Sequence, residues 1–142
     1  MAAVRGLVTL GPAMARERFA TPPNVTMVAS ASHAGLFPRA AAVVTHGGHG
    51  TVMQALASGV PLLCMPMGRD QDDPGARVVA RGGVGLRLSR SAGSSRIAAA
   101  VRRLLSEPDF AVKAAGMAAT IGRDAEGDRA VLELEHVGTP GT

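Results

Sequence analysis

Residues 42–71 read AVVTHGGHGTVMQALASGVPLLCMPMGRDQ, and the alternation of apolar runs and glycines within them decides the fold. The short apolar run Ala42-Val43-Val44-Thr45 predicts a buried strand. It ends in His46-Gly47-Gly48-His49-Gly50-Thr51. A helix follows to about Ser58 and stops at Gly59. A second apolar strand covers residues 61–65 and leads into Pro66-Met67-Gly68-Arg69-Asp70-Gln71. The order is strand, glycine turn, helix, strand.

The turn carries chemistry. Without Cβ atoms, Gly47, Gly48 and Gly50 let the backbone take positive φ and approach a ligand closely. The helix start that follows has unpaired N–H groups and the positive end of a dipole. Together they suit an anion, best a phosphate. Thr51 adds a hydroxyl, and His46 adds a ring N–H at a strand's carboxyl end, where open α/β sheets place ligands. Each residue also has a plainer reading. His46 could be satisfied by the loop backbone, the glycines could serve the turn alone, Thr51 could cap the helix, and His49 reads as a surface histidine. His46 and His49 have no third ligand at metal spacing. Asp70 and Gln71 suit a polyol, because a carboxylate accepts hydroxyl bonds and an amide offers both senses. Asp70-Gln71-Asp72 also spells an Asp-x-Asp metal pattern, but Asp72 or Asp73 is better used as a helix cap before Pro74. A dinucleotide-binding fingerprint fits less well, because Gly48-x-Gly50 is followed by Met53 rather than a third glycine.

Outward from this stretch, strands are expected at residues 6–10, 24–29 and 84–88 besides the two already placed. Residues 13–23 read as a short helix and loop, and 30–39 as a loop with one helical turn around His33. Helices are expected at about 72–81, ending at Gly82-Gly83, and from Ser94 or Ser95 as cap to about 106. Two more follow, from Glu107-Pro108 to about 121 and from 124 to 136, with a disordered tail at 138–142. Strands alternating with helices predict an α/β fold with a Rossmann-like, doubly wound parallel sheet.

The 142 residues suit one domain, here 1–137. With no Trp, no Tyr and three Phe, the core must be built from Val, Leu, Ile, Ala and Met. That suits parallel strands buried on both faces. The net charge of +4 comes from scattered arginines, with Lys113 the one lysine. No basic run is interleaved with aromatics, which argues against nucleic acid. The single Cys64 sits in an apolar strand and can form no intrachain disulfide, which fits a reducing, cytoplasmic setting. No apolar run reaches membrane-spanning length and no signal peptide is visible.

Five elements in order, Thr45-His46-Gly47-Gly48, Thr51, Gly59-Val60-Pro61 and Asp70-Gln71 with the helix between them, resemble the donor-binding half of GT-B glycosyltransferases of the macrolide and UDP-glycosyltransferase group. The resemblance covers nearly the whole chain. It implies a UDP- or TDP-sugar donor, a hexose transferred to a small lipophilic acceptor, and no metal or other cofactor. It implies that residues 46–51 hold the diphosphate, that Ser30, Ala31 and His33 cradle the base, and that Asp70 and Gln71 hold the sugar. Gln54 stands where many relatives carry a ribose-binding Glu. Ser32 replaces a Pro of the base loop, and Pro74 replaces an Asn. Residues 6–10 resemble the second strand of the donor domain. The resemblance therefore implies a domain truncated at its N-terminus, and an acceptor-binding N-terminal domain or partner subunit without which this chain would be inactive. The catalytic base is expected outside it.

Overall fold

The computed structural model describes residues 4–14, 19–68 and 74–126. The chain divides into two compact units, Met1–Leu36 and Phe37–Thr142.

In the first unit, strands β1 (Gly6–Thr9) and β2 (Val25–Val28) pair in parallel with Gly6 opposite Val25 and Thr9 opposite Val28. The pairing continues past both strands through Leu10 N–H to the Val28 carbonyl (3.0 Å) and Gly11 N–H to the Ala29 carbonyl (2.9 Å). The Asn24 amide donates to the Val4 carbonyl at 2.9 Å and closes the start of the pair. Leu7 and Val8 point to opposite faces of β1, and both are exposed. β1 is therefore not the doubly buried strand its apolar sequence predicts: a two-stranded sheet leaves it uncovered. The helix expected within 13–23 is absent from its described residues, which form turns and bends. Pro12, Pro22 and Pro23 restrict that stretch. One helical turn, α1 (His33–Leu36), follows β2.

The second unit opens with a 3₁₀ turn (Phe37–Arg39) and holds a three-stranded parallel sheet in the order β3–β4–β5. The strands are β3 (Val43–Thr45), β4 (Leu62–Cys64) and β5 (Gly85–Arg87). Helices α2 (His49–Ala57), α3 (Pro74–Arg81), α4 (Ser94–Ser106) and α5 (Pro108–Glu126) accompany them. β4 is central, and all three of its residues are buried. Leu63 points to one face, where it packs with Ala100 and Leu104 of α4 and Phe110 of α5, flanked by Leu86. Gly85 points to the other face, toward Val79 of α3. Helices thus cover both sides, as a doubly wound sheet requires. The core is aliphatic, with Phe37 and Phe110 its buried aromatics.

Two helices end in the same way. After α2, Gly59 takes φ +70°, its N–H donates to the Leu56 carbonyl, and Val60 N–H donates to the Ala55 carbonyl. After α3, Gly83 takes φ +66°, its N–H donates to the Ala80 carbonyl, and Val84 N–H donates to the Val79 carbonyl. Both are Schellman motifs, and each turns the chain into the next strand.

Three expectations need correction. α2 begins at His49, three residues before Val52, so His49, Gly50 and Thr51 are helical rather than part of the turn. Neither Ser94 nor Ser95 caps α4, because both are already helical; the cap is Gly93, whose carbonyl accepts from Arg96 and Ile97 N–H. α5 runs unbroken through Gly122 to Glu126, so Asp124 starts no new helix; a Cβ at Gly122 would meet nothing within 4 Å. The rest of the expected final helix, Asp72, Asp73 and the tail at 138–142 lie outside the described residues. At the α4–α5 corner, Arg103 donates to both carboxylate oxygens of Glu107 at 2.7 and 3.2 Å and lies over the Phe110 ring. The hydrogen bond from Arg103 holds the Glu107 carboxyl below its usual range.

Gly85 marks the tightest approach of helix to sheet. A Cβ there would collide with the Leu62 carbonyl oxygen and come within 2.6 Å of Val79 Cγ1. Gly85→Ala is expected to destabilise the chain by about 3 kcal/mol or more, because backbone cannot move aside as a side chain can. Gly116→Ala, within α5 and with open space at its Cβ, is expected to stabilise by about 0.5–1 kcal/mol. Urea unfolding of the two variants measures both signs.

Candidate functional site

In parallel strands with helical crossovers, the carboxyl ends of all strands share one rim. On the second unit's rim stand residues 46–48 after β3, 65–68 after β4 and 88–93 after β5. Backbone bonds tie the three exits together: Met65 N–H donates to the Thr45 carbonyl (2.8 Å) and Leu88 N–H to the Cys64 carbonyl (2.9 Å).

The turn after β3 is built in three steps. The Thr45 hydroxyl accepts the Gly47 N–H at 3.2 Å, which bends the chain as it leaves the strand. Gly47 then takes φ +94°, a conformation unfavourable to any residue with a Cβ. Gly48 serves as the N-cap of α2, and its carbonyl accepts the Val52 N–H at 3.0 Å. The cap has no side chain, and no side-chain hydrogen bond covers the helix end. By helix geometry, the N–H groups of Gly48, His49, Gly50 and Thr51 have no partner within the helix. This end of α2 therefore presents donors and a positive dipole end.

His46 is exposed and its ring lies against Gly48. A Cβ on Gly48 would sit 2.9 Å from His46 Nε2 and 3.3 Å from Cε1. The ring makes no hydrogen bond with the described residues, so the loop backbone does not satisfy it. Thr51 is the third residue of α2 rather than its cap, and half-buried. Gln54 lies on α2 one turn beyond Gly50 and Thr51, on the same face, and is exposed. Residues 46–51 and Gln54 are thus brought together. Ser30, Ala31 and His33 belong to the first unit, just past the carboxyl end of β2, with His33 opening α1 and half-buried. Asp70 and Gln71 lie outside the described residues.

Sequence reading missed the part played by the Thr45 hydroxyl. The signal was present: a threonine two residues before a glycine is a local turn former. It also missed Arg90 on the turn after β5, which donates to the Met67 carbonyl at 3.5 Å. Nothing in the spacing of two residues 23 apart announces that contact. Among the described residues no three His, Cys, Asp or Glu side chains gather as a metal site needs, and no helix is long and apolar enough to cross a membrane. A groove lined by Arg77, Val78, Arg81, Gly82 and Met117 lies at the end of α3 that feeds into β5, away from the rim.

A parallel α/β unit with an uncapped, glycine-opened helix on its carboxyl rim has the form of a nucleotide-binding domain. Comparison with known proteins gives the family. Residues 6–135 match the family described as "Erythromycin biosynthesis protein CIII-like, C-terminal domain", and the chain belongs to it. It is the C-terminal domain type of GT-B glycosyltransferases of the macrolide group. It is 41% identical over 95 residues to 4'-demethylrebeccamycin synthase of Lentzea aerocolonigenes, a match covering 66% of this chain and 22% of that protein. The solved glycotransferase of kitacinnamycin superposes with a TM-score of 0.81 at 27% identity, over 92% of this chain and 34% of that one. Glycosyltransferase VinC in complex with dTDP superposes with a TM-score of 0.69 at 26% identity, over 82% of this chain and 37% of that one. The chain thus spans between about a fifth and two fifths of these relatives' lengths.

The contact between Gly48 and His46 can be tested directly. Gly48→Ala is expected to cost less than about 1 kcal/mol of stability, because an exposed ring can swing away. It should nevertheless move the His46 imidazole resonances in a proton–nitrogen NMR spectrum. Gly47→Ala, forced to positive φ, should cost about 1–2 kcal/mol.

Proposed function

We propose that this chain is the donor half of a glycosyltransferase that binds a UDP- or TDP-sugar and presents it for transfer of a hexose to a small lipophilic acceptor. The observation that carries the reading is the uncapped start of α2, opened by Gly47 and Gly48 on the rim, in a chain of this family. The dTDP in VinC supports the nucleotide class. Residues 1–137 make up the donor domain in this reading.

The N–H groups of Gly48, His49, Gly50 and Thr51, the Thr51 hydroxyl and the His46 ring hold the diphosphate. Gly47 supplies the left-handed bend that aims them. Ser30, Ala31 and His33 face the base, Gln54 bonds the ribose hydroxyls, and Asp70 and Gln71 grip the sugar hydroxyls. As an amide, Gln54 makes weaker bonds than a carboxylate would. In the transfer, the acceptor oxygen bonds to the anomeric carbon while the bond from that carbon to the diphosphate oxygen breaks. Negative charge grows on the leaving diphosphate, and donors fixed beforehand stabilise it without reorganising. The acceptor proton goes to a base outside this chain, in an acceptor-binding domain or partner subunit. The chain alone therefore binds donor and does not transfer it.

Calorimetry with UDP and TDP, with and without EDTA, tests the binding mode. Binding is expected in both conditions, and its loss on adding EDTA would overturn a metal-free site. Asp70→Ala is expected to weaken nucleotide-sugar binding about tenfold to a hundredfold, the worth of one charge-assisted hydrogen bond. Affinity for the free nucleotide should stay unchanged, and an equal loss for both ligands would contradict the sugar-binding assignment.

A further inference from the structure

The groove at the end of α3 lies apart from the donor site and is built from two helices. Arg77, Val78, Arg81 and Gly82 line it from α3 and its exit, and Met117 from α5, around a volume of about 470 Å³. α3 divides its two valines. Val79 is 0% exposed in the core, whereas Val78 is 50% exposed and forms one apolar wall of the groove. Half-buried Met117 forms the other. Gly82 keeps the space between them open: a Cβ there would lie 3.8 Å from Met117 Cε and 2.9 Å from the Val78 carbonyl oxygen. Lys113, one turn before Met117 on α5, brings its ammonium to 3.0 Å from the place of a Cβ on Gly83. Three cations thus stand around one apolar patch.

Cations in the last turn of a helix have a plain use, since they complement the dipole and bond its orphan carbonyls. Here those carbonyls are already taken. Val78 accepts the Gly82 N–H at 2.8 Å, Val79 the Val84 N–H at 3.2 Å and Ala80 the Gly83 N–H at 3.3 Å. Among the described residues, no carboxylate is in ion-pair contact with Arg81 or Lys113. Apolar walls ringed by positive charge suit a ligand with both characters. A guanidinium is a flat fork that meets a carboxylate in two parallel hydrogen bonds. The volume falls in the range of small-molecule sites, whereas a helical peptide needs an apolar groove several turns long.

We propose that this groove binds an amphipathic anion of the alkyl carboxylate class, with its head at Arg81 and its chain over Val78 and Met117. The site is separate from the rim, and the proposal does not depend on the donor-binding reading.

The probe is octanoate, titrated into the 142-residue chain and followed by proton–nitrogen and methyl NMR. Acetate lacks the chain and 1-octanol lacks the charge. Octanoate is expected to give saturable shifts at the Val78, Arg81 and Gly82 amides and the Met117 methyl, with residues 47–51 unmoved. 1-Octanol should bind about three- to tenfold more weakly, the effect of one exposed charge-assisted contact. Acetate should bind at least about tenfold more weakly, for want of apolar contact. Arg81→Gln should bring octanoate down to the affinity of 1-octanol and leave 1-octanol unchanged. Val78→Ser should weaken both. Both side chains are exposed, so both variants should keep the wild-type spectrum elsewhere. Saturating TDP should not displace octanoate. No saturable shift in the groove, equal affinity for octanoate and 1-octanol, or an unchanged octanoate affinity in Arg81→Gln would each overturn the proposal. Displacement by TDP would put the probe on the rim and overturn it as well. So would binding of a synthetic acidic, leucine-bearing helical peptide in place of octanoate, which would make the groove a protein-docking face.

Discussion

Two bonds of Thr45, one at its carbonyl and one at its hydroxyl, set the geometry of the rim. Its carbonyl takes the Met65 N–H and joins the end of β3 to the exit of β4. Its hydroxyl takes the Gly47 N–H and bends the chain out of the sheet. The carbonyl bond belongs to the sheet and the hydroxyl bond to the turn, so one residue fixes the angle between them. Because α2 starts at once, with Gly48 as its cap, that angle also aims the helix. A valine in this place would keep the strand, since valine favours sheets as well as threonine does. It would lose the turn's first bond, and the donors at the start of α2 would no longer be held in one direction.

The second constraint is the burial of β4. Leu62, Leu63 and Cys64 are each 0% exposed, and the helices on the two faces meet through them. A chain with so few aromatics cannot fill wide gaps, so the layers must come close. Gly85 permits this on the α3 side, where its missing Cβ leaves room for the Leu62 carbonyl and Val79. Gly59 permits it between α2 and α5, where a Cβ would lie 3.5 Å from Ala115 Cα and 3.6 Å from Ala118 Cβ. Small residues here take the place of large ones: interior density is reached by close approach of backbone, not by bulky side chains.

Much of this was legible in the sequence, for identifiable reasons. The five described strands lie within the apolar runs that announced them; for β4, buried at all three residues, that is because a buried parallel strand has no polar face to obscure the pattern. The ends of α2 and α3 were legible because glycine at a helix end has one dominant use. The start of α2 was not. His49 and Gly50 are poor helix formers, and the direction imposed by Thr45 and Gly47 overrides their preference. The start of α4 misled for the opposite reason: Ser94 and Ser95 are good caps in isolation, but Gly93 already provides the extended residue and its carbonyl the first bonds. One helix was expected to end at about 121 and another to begin at Asp124, yet α5 runs on to Glu126 with only glycine's usual propensity penalty at Gly122. Of the candidate site, the run His46 to Thr51 was legible because its glycines and helix start are contiguous. Arg90 and the Met67 carbonyl were not, because only the sheet order brings two strand exits side by side.

The glycines of the second unit divide by location, and the division bears on what the rim is for. At the strand-entry end, Gly59 and Gly83 take φ +70° and +66°, and their N–H groups and those of the next residues are all spent on helix carbonyls. Those glycines reverse the chain and leave no donors over. At the rim, Gly47 is also left-handed, but its N–H is taken by a side chain, and the residues after it begin a helix instead of ending one. The same conformational freedom that closes a helix at one end of the unit opens one at the other. A helix end closed by a Schellman motif has used its orphan groups, whereas one opened at a bare glycine has kept them. α2 shows both within nine residues: its last turn is satisfied by its own chain, and its first turn is left to whatever binds on the rim.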